Sequence, residues 1–298
     1  MIWCVGLNPA WDVVMGLDPA RGPEGVRVAA WTEATPGGKA NNVARVVRQL
    51  GQPATAVGLY GGAVGELVQQ GMREAGVHVL AAAAEGATRI CLTELDGPRR
   101  REVRGRGPEV HPSQADALLQ RVLAAAQSND LVALSGSVPP GLAPGVLAHW
   151  VAALKPHVRF MALDAAGDEL AAAWQAAPDL AVPNLAEYRA LGRSARDGAG
   201  PRWVAVTRGT AGLSWRERGR WHHIPAPPAT PANATGAGDA LLGGVLAALA
   251  QGAPLSKALA LGVSVGTASV ATRGVAVLPA EAVQTFRTAV AKMGFAQS

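Results

Sequence analysis

The amino-acid sequence predicts an α/β fold in which helices cover both faces of a mostly parallel central sheet. Short apolar runs with the character of buried strands alternate with segments of helical period, as is typical of parallel sheets. The length of 298 residues suits one large α/β domain or two small ones. Hydrophobic residues make up 49% and charged residues 16%, which is the balance of a globular chain and not of a disordered one.

The predicted elements follow one another along the whole chain. The apolar runs that predict buried strands are 2–7, 54–60, 130–136, 158–164, 179–184 and 202–207. The segments that predict helices are 40–50, 64–75, 112–126, 143–154 and 237–250, with two more toward the C-terminus. Ligands of open α/β sheets bind beyond the carboxyl ends of the strands. Polar residues that could form such a site, or simply cap loops, are Asn8, Ser135, Asp164, Asn184 and Thr207.

Two segments interrupt the alternation of strands and helices. Residues 13–35 and 87–106 carry alternating, exposed-looking strands with turn signals such as Asp96-Gly97. They predict a small β-layer set apart from the main sheet.

The charge of the chain raises the question of a nucleic-acid partner. The formal net charge is +5 and the pI is near 9.8. However, the chain has four lysines, its arginines are spread out, and the basic cluster 99–106 lies in a predicted hairpin. The pattern therefore favours a solvated face or a small-anion role, and we expect no nucleic-acid partner.

The cysteines and the apolar runs indicate a cytoplasmic protein with no membrane partner. Cys4 and Cys91 lie in apolar runs and are expected to be buried hydrophobic residues in a reducing compartment. The N-terminal segment reaches Asn8 and Asp12 too early for a signal peptide. The longest apolar region, 240–250, is too short to span a bilayer.

A run of small residues, NATGAGDALLGG at 233–244, leads into the predicted helix 237–250. A P-loop would need a lysine after Gly238, and a dinucleotide motif would need a third glycine and a later acid. Both signals are missing. The free backbone N–H groups at such a helix start can bind an anion without obstruction by side chains.

Asp239 is the carboxylate of this stretch and would lie beside the anion pocket. Phosphoryl transfer needs positioned N–H donors and a group that orients the attacking hydroxyl and accepts its proton. Asp239 could supply the second requirement. The alternative is that it merely caps the helix.

Two further stretches carry groups that suit a sugar. The stretch PGGKANNVARVVRQLG at 36–51 places paired glycines, Lys39 and two asparagines before a helix, although it could also be a tight turn with a solvated lysine. Asn8 and Asp12 follow the first predicted strand and could bind sugar hydroxyls. In the stretch PNLAE, Asn184 and Glu187 share one face of a helix start, a spacing that suits magnesium through bound water.

Taken together, these stretches resemble the PfkB-type, ribokinase-like carbohydrate kinases along nearly the whole chain. The motifs that carry the resemblance are GGKANNVARVVRQLG, PNLAE and NATGAGDALLGGVLAAL. The stretches LNPAWD, TRICLTELDG and SGSVPPG, with the lysine of GGKANN, are most similar to the 1-phosphofructokinase and tagatose-6-phosphate kinase branch. The resemblance implies a three-layer α/β/α kinase domain over residues 1–298 with a small β-sheet lid at about 13–35 and 87–106.

The resemblance also implies roles for individual residues. The catalytic group would be the base Asp239 with an anion hole of Gly236, Ala237 and Gly238. The sugar phosphate would bind Asp12, Gly38, Lys39, Asn42, Arg89 and Ser137, with Lys39, Arg89 and Arg106 as the cations for its phosphate. The nucleotide would bind Asn184, Thr207, Gly209 and Gly212. Magnesium would be held by Glu187, by Asn184 through water and by Asp164.

The activity implied by these roles is ATP-dependent phosphorylation of a phosphorylated ketohexose, with Mg²⁺ as cofactor. Fructose 1-phosphate, converted to fructose 1,6-bisphosphate, is the leading candidate. The alternatives are tagatose 6-phosphate or another sugar of the same family, and a non-catalytic sugar-phosphate-binding protein. The lid of relatives often pairs between subunits, which implies a homodimer.

The sequence departs from the family pattern at several positions. Val182 stands where relatives of this branch usually have a lysine, and Arg208 where an apolar residue is common. Ala40 and Asn41 replace a glycine and an apolar residue in the sugar loop. The segment 188–201 is short where relatives normally fit an extra helix. These departures bear on specificity more than on chemistry.

Overall fold

The alternating elements form two separate β-sheets. A computed structural model describes residues 1–21, 25–97, 99–192 and 199–292. The strands are β1 (Ile2–Val5), β2 (Ala10–Arg21), β3 (Arg27–Gly37), β4 (Ala54–Tyr60), β5 (His78–Ala83), β6 (Arg89–Asp96), β7 (Arg99–Arg104), β8 (Leu131–Ser135), β9 (Phe160–Asp164), β10 (Leu180–Ala181), β11 (Trp203–Thr207), β12 (Leu213–Glu217) and β13 (Arg220–Ile224). The helices are α1 (Lys39–Gln49), α2 (Gly62–Glu74), α3 (Pro112–Ala125), α4 (Val146–Leu154), α5 (Gly167–Gln175), α6 (Leu185–Ala190), α7 (Ala237–Ala250), α8 (Leu255–Ser269) and α9 (Ala280–Ala291).

The larger sheet, sheet A, has the strand order β13-β12-β11-β10-β9-β8-β1-β4-β5. Its strands from β5 to β11 are parallel, and β12 and β13 add an antiparallel hairpin at one edge. Alternate side chains of β1 enter different cores: Ile2 and Cys4 face one, and Trp3 and Val5 face the other. Because α1, α7 and α8 fill the first core while α3, α4 and α5 fill the second, the fold is a three-layer α/β/α sandwich.

The smaller sheet, sheet B, has the strand order β3-β2-β6-β7. The pair β2–β6 is parallel, whereas β2–β3 and β6–β7 are antiparallel. The sequence placed this layer at about 13–35 and 87–106, and its strands occupy 10–21, 27–37, 89–96 and 99–104. Residues 22–24 and Pro98 lie outside the described residues. The separate β-layer is therefore confirmed, with a start three residues earlier than predicted.

Local chemistry explains where the predicted boundaries are wrong. The helix expected from residue 143 begins at Val146, because Gly145 adopts a left-handed conformation with φ of 89°. The strand expected over 179–184 is reduced to Leu180–Ala181, since Pro183 has no N–H to donate and Asn184 caps α6. The elements that the patterns missed are β5, β12, β13 and α5.

The structure bears on the expected burial of the two cysteines and on the expected absence of membrane-spanning helices. Cys4 is buried as predicted, whereas Cys91 is only half-buried, which corrects the expectation for that residue. Both thiols are free. Among the described helices, none combines the length and the apolar character needed to cross a membrane.

Candidate active site

A cleft of about 1130 Å³ lies at the carboxyl ends of the strands of sheet A and extends under sheet B. The residues with expected roles that line it are Asp12, Gly38, Lys39, Asn42, Arg89, Arg106, Ser137, Asp164, Asn184, Glu187, Thr207, Gly209, Gly236, Ala237, Gly238 and Asp239. Gly212 lies outside the cleft. A side chain there would meet the carbonyl oxygen of Ile224 at 2.1 Å, so this glycine lets β12 start beside the chain that follows β13.

The start of α7 forms the floor of the cleft. Gly236 is the N-cap residue and has φ of 80°, a conformation that favours glycine. A Cβ at Gly236 would lie 2.7 Å from Cγ1 of Val275, whereas a Cβ at Gly238 would meet no atom within 4 Å. The backbone N–H groups of the first helical turn have no partner within the helix. The N–H of Ala237 makes a long bond of 3.4 Å to the carbonyl of Ala234, and the two glycines leave the donors that follow it open to an anion in the cleft.

Asp239 is the third residue of α7 and only 6% exposed. Its Oδ2 accepts a hydrogen bond from Nδ2 of Asn42 at 2.8 Å. Burial raises the pKa of Asp239 to about 7; Lys39 and the amide of Asn42 oppose this rise, and the carboxylates of Asp164 and Asp12 add to it. Gly236 holds the N-cap position, so the alternative in which Asp239 merely caps the helix is wrong.

Strand β2 places a second carboxylate beside the loop that precedes α1. Asp12 on β2 lies against Gly37, where a Cβ would come within 2.1 Å of the Asp12 carboxyl carbon. Burial raises the pKa of Asp12, and this rise is opposed by a hydrogen bond from the N–H of Gly38 and by the nearby guanidinium groups of Arg45 and Arg89. The amide of Asn42 also lowers the pKa of Asp12, so this side chain interacts with both acids.

Lys39 and Asp164 form an ion pair in the middle of the cleft. The Nζ of Lys39 lies 2.7 Å from Oδ1 of Asp164, which is buried. Burial alone would lower the pKa of Lys39, but the carboxylates of Asp164, Asp239 and Glu187 raise it above its ordinary value. The sequence placed Lys39 by the sugar phosphate and Asp164 by the metal. The structure joins the two side chains, so the ammonium group of Lys39 and one carboxylate oxygen of Asp164 already have each other as partners.

Sheet B brings arginines over the cleft. Arg89 donates to the carbonyl oxygens of Asn8 at 2.9 Å and of Gly105 at 3.4 Å. Asn8 in turn donates to Oγ of Ser137 at 3.2 Å and to the carbonyl of Arg106 at 3.1 Å. These contacts fasten the expected phosphate-binding residues to the loop that follows β7.

Strand β7 contributes cleft residues that the sequence reading did not single out. Arg100, Glu102 and Arg104 line the cleft, and Glu102 accepts hydrogen bonds from both arginines. Residues two apart on a strand share a face, so the spacing in RRREVR was the available signal. The sequence predicts either a solvated face or a small-anion site for this cluster, and the position of Arg100 and Arg104 in the lining of the cleft is consistent with the second alternative.

The side of the cleft where the nucleotide was expected is built differently. Asn184 caps α6: its Oδ1 accepts from the N–H groups of Ala186 at 2.9 Å and Glu187 at 3.0 Å. Glu187 Oε2 accepts from the N–H of Asn184 at 2.8 Å, which completes a capping box. The pair thus forms a structural motif, and the amide oxygen expected to face a metal-bound water is already used twice.

The neighbouring positions complete this side. Thr207 ends β11 and its N–H donates to the carbonyl of Pro183 at 2.9 Å. Gly209 follows with φ of 58° in a short 3₁₀ turn. Val182, which stands where a lysine was expected, lines the cleft and is 5% exposed. Of the short segment 188–201, residues 193–198 lie outside the described residues.

Arg45 was the main residue that the sequence reading missed. Its side chain is buried, donates to Oδ1 of Asn42 at 3.0 Å and to the carbonyl of Val275 at 2.6 Å. An arginine three residues after Asn42 on a predicted helix was the only signal, and such spacing alone does not reveal burial.

The geometry first defines a class of protein. A helix start open to an anion, beside a buried carboxylate and under an arginine-bearing sheet, is suited to moving a phosphoryl group onto a hydroxyl. Comparison with known families then identifies the protein family. A model of the pfkB family of carbohydrate kinases matches residues 7–282, and the chain belongs to this family. It is accordingly a phosphotransferase with an alcohol group as acceptor, not a non-catalytic binding protein.

Solved structures confirm the ribokinase-like fold. Phosphofructokinase-2 from Escherichia coli in complex with fructose-6-phosphate has a TM-score of 0.83 at 25% identity, with 97% of this chain and 99% of that chain covered. A possible 1-phosphofructokinase from Thermotoga maritima has a TM-score of 0.81 at 21% identity, covering 96% and 97%. Ribokinase from Thermotoga maritima has a TM-score of 0.74 at 19% identity, covering 96% and 99%. The last two likenesses concern the fold alone.

Proposed function

We propose that this kinase transfers the γ-phosphoryl group of ATP to a phosphorylated ketohexose, and that its substrate is fructose 1-phosphate, which becomes fructose 1,6-bisphosphate. The observation that carries the proposal is the position of Asp239. This buried carboxylate lies at the open start of α7, in a cleft that sheet B lines with arginines. A hydroxyl acceptor and an additional anionic group are what such a cleft accommodates.

Asp239 acts as the general base. It takes the proton of the acceptor hydroxyl as the sugar oxygen forms a bond to the γ-phosphorus and the bond to the bridging oxygen of ADP breaks. A carboxyl pKa of about 7 suits a base that works near neutral pH. The N–H groups around Gly236, Ala237 and Gly238 stabilise the charge on the equatorial oxygens of the transferring group.

The cations around the cleft support a phosphorylated acceptor. A sugar phosphate is a dianion near neutral pH and needs charged donors. Arg89, Arg104 and Arg106 line the sheet B side of the cleft, and Ser137 is tied to the same loop through Asn8. Lys39 lines the same cleft and interacts with the charge of Asp239, so it contributes positive charge there while it stays paired with Asp164. Asp12, Gly38 and Asn42 hold the hydroxyl end of the sugar.

The residues present fit a magnesium ion that arrives with the nucleotide. Among the described residues, no group of three or more His, Cys, Asp or Glu side chains could hold a metal by itself. Magnesium commonly binds through one or two carboxylates with water and substrate phosphates. Glu187 is the carboxylate best placed for this, with Thr207, Gly209 and Asn184 on the nucleotide phosphates. When bound, the ion neutralises phosphate charge.

Further parts of the proposal concern organisation. We assign residues 1–298 to one kinase domain in which sheet B is the lid, located in the cytoplasm and bound to no nucleic acid. We also propose a homodimer through the lid. Half-exposed Ile90 and Val103 on sheet B support it, as does the existence of a tetrameric form of the Escherichia coli relative.

An acceptor panel tests the proposed substrate. Purified protein, ATP and Mg²⁺ are assayed by coupled ADP release with fructose 1-phosphate, tagatose 6-phosphate, fructose 6-phosphate and free fructose. The proposal requires the highest kcat/KM for fructose 1-phosphate and at least about a tenfold loss for free fructose, as expected when charge-assisted bonds are lost. Preference for another phosphorylated ketohexose would replace the substrate but keep its class. Preference for free fructose would contradict the proposal.

A further inference from the structure

We infer that Arg45 is a positioning residue for the reaction: it locks the side-chain amide of Asn42 in the orientation that presents the amide nitrogen to Asp239. The inference rests on the proposed role of Asp239 and deepens it. Arg45 is not among the residues that line the cleft, so we assign its effect on the reaction to its contact with Asn42.

The first step is the geometry of α1. Asn42 and Arg45 are three residues apart and therefore share one face of the helix. An NH2 group of Arg45 donates to Oδ1 of Asn42 at 3.0 Å, while Nδ2 of Asn42 donates to Oδ2 of Asp239 at 2.8 Å. Both contacts are buried. The three side chains thus form a chain of directed hydrogen bonds that ends on the proposed base.

The second step concerns the chemistry of an amide. An asparagine amide has two nearly isosteric orientations that exchange its donor and its acceptor. A guanidinium only donates and an ionised carboxylate only accepts. With Arg45 on one side and Asp239 on the other, a flipped Asn42 would lose both bonds and face each partner with the wrong group. Arg45 therefore leaves a single favourable orientation.

The third step adds the second acid. The side-chain amide of Asn42 also lowers the pKa of Asp12, so Asn42 interacts with both acids of the site. Burial lowers the pKa of Arg45 to about 10, while the carboxylates of Asp12 and Asp239 oppose that fall. The guanidinium is still charged at neutral pH. It provides a fixed donor in a place where a neutral side chain would leave the Asn42 oxygen unpaired.

Arg45 has a matched neighbour on the same helix. Arg45 donates to the carbonyl of Val275, and Gln49 holds the next part of that segment through the carbonyl of Ala276 at 3.1 Å and the N–H of Leu278 at 2.8 Å. Gln49 also donates to the backbone carbonyl of Arg45 at 3.3 Å, but in the described contacts it makes no hydrogen bond to Asn42. Gln49→Ala therefore loosens the same segment without touching the amide, which makes it the control for a purely structural effect.

The experiment is a double-mutant cycle with ATP and fructose 1-phosphate. The variants are Arg45→Met, Asn42→Ala, their combination, and Gln49→Ala; Arg45→Lys replaces Arg45→Met if the latter does not fold. Each is measured for kcat, for both KM values and for melting temperature. We expect Arg45→Met to lower kcat about 100-fold, the scale of a small misplacement of a reacting group, with the KM for ATP within about twofold. The combined variant should lie within about threefold of Asn42→Ala.

Two results would overturn the positioning role. One is a kcat for Arg45→Met equal to that of Gln49→Ala at a similar loss of melting temperature. The other is multiplication of the Arg45→Met and Asn42→Ala effects in the combined variant, since residues that act through one another are not independent. Near-normal turnover by Asp239→Asn would instead overturn the assignment of the base, so the two failures are distinguishable.

Discussion

The two sides of the cleft are built on different principles. The proposed catalytic wall, made of Asp12, Lys39, Asn42, Asp164 and Asp239, consists of side chains held by one another; Asn42, Asp164 and Asp239 are buried, and Asp12 is partly buried. The nucleotide wall, made of Asn184, Glu187, Thr207 and Gly209, is more open to solvent, and its contacts run to the backbone.

The difference shows which part of the reaction each wall can serve. Buried and interlocked groups keep their geometry and shifted pKa values at no cost during the reaction, which proton transfer requires. Exposed groups held through helix and loop backbone can receive a nucleotide and release it. Substitutions in the catalytic wall should therefore lower kcat, and substitutions in the nucleotide wall should alter binding of ATP or of metal.

The largest effect is expected at the start of α7. A methyl group at Gly238 meets no protein atom within 4 Å and would occupy the cleft, so Gly238→Ala should lower kcat about 100- to 1000-fold with little change in melting temperature. Gly236→Ala should lower both kcat and melting temperature, because its Cβ would meet Val275 and its φ is positive. Steady-state kinetics and thermal melts separate the two. Equal stability of both variants would contradict the account of Gly236.

The lid should show its effect in the KM of the acceptor. Arg89→Gln removes a cation from the sheet B side and should raise the KM for fructose 1-phosphate about 10- to 100-fold, the value of one or two charge-assisted hydrogen bonds. The KM for ATP should change little, because the nucleotide wall is untouched. A parallel rise in both KM values would show that the two walls are not separable.

The Mg²⁺ concentration needed for activity tests the proposed role of the Glu187 carboxylate. Glutamine also fits the third position of a capping box, so Glu187→Gln removes a negative charge while it retains the cap. We expect the Mg²⁺ concentration for half-maximal activity to rise about tenfold, consistent with loss of one ligand contact. The matched variant Glu187→Ala also loses the cap, and only it should lower the melting temperature. An unchanged Mg²⁺ requirement in Glu187→Gln would remove the metal role.

The smallest effect concerns stability and pH. The folded-state pKa of Asp239 is raised from 3.8 to about 7, so folding binds a proton more tightly and the stability from this group falls as pH rises from about 4 to 7. Asparagine carries no charge at any of these pH values. Asp239→Asn should therefore melt about 2–6 °C above the wild type at pH 8, and the difference should shrink toward pH 4. A lower melting temperature of the variant at pH 8 would contradict the burial of an ionised carboxylate.

The sequence was most informative where a motif sets backbone conformation. Small residues in TGAGD and paired glycines in GGK predicted the open helix start and the sugar loop, because few other residues permit such close approach and positive φ. The apolar runs located the central strands, because parallel strands that are buried on both faces need apolar side chains throughout. Strand β13 is exposed and β12 buries only Leu213 and Trp215, so neither strand carries the continuous apolar run that marks the central strands.

The side-chain partners could not be predicted in the same way. Lys39 and Asp164 are 125 residues apart in the chain, and their pairing follows from the strand order of sheet A rather than from any local pattern. The burial of Arg45 likewise depends on the segment at Val275, 230 residues later. Asn184 and Glu187 illustrate the opposite case, in which one spacing suits a metal site and a capping box equally, and only the hydrogen bonds reveal the box.

The most direct test of the central claim is a single-turnover measurement on Asp239→Asn. Rapid quench with γ-labelled ATP and saturating fructose 1-phosphate follows the transfer step, and calorimetry gives the affinity for the sugar phosphate. The account predicts a transfer rate at least about 1000-fold below that of the wild type, with the affinity changed less than about threefold. Transfer within about tenfold of the wild-type rate would show that Asp239 is not the base.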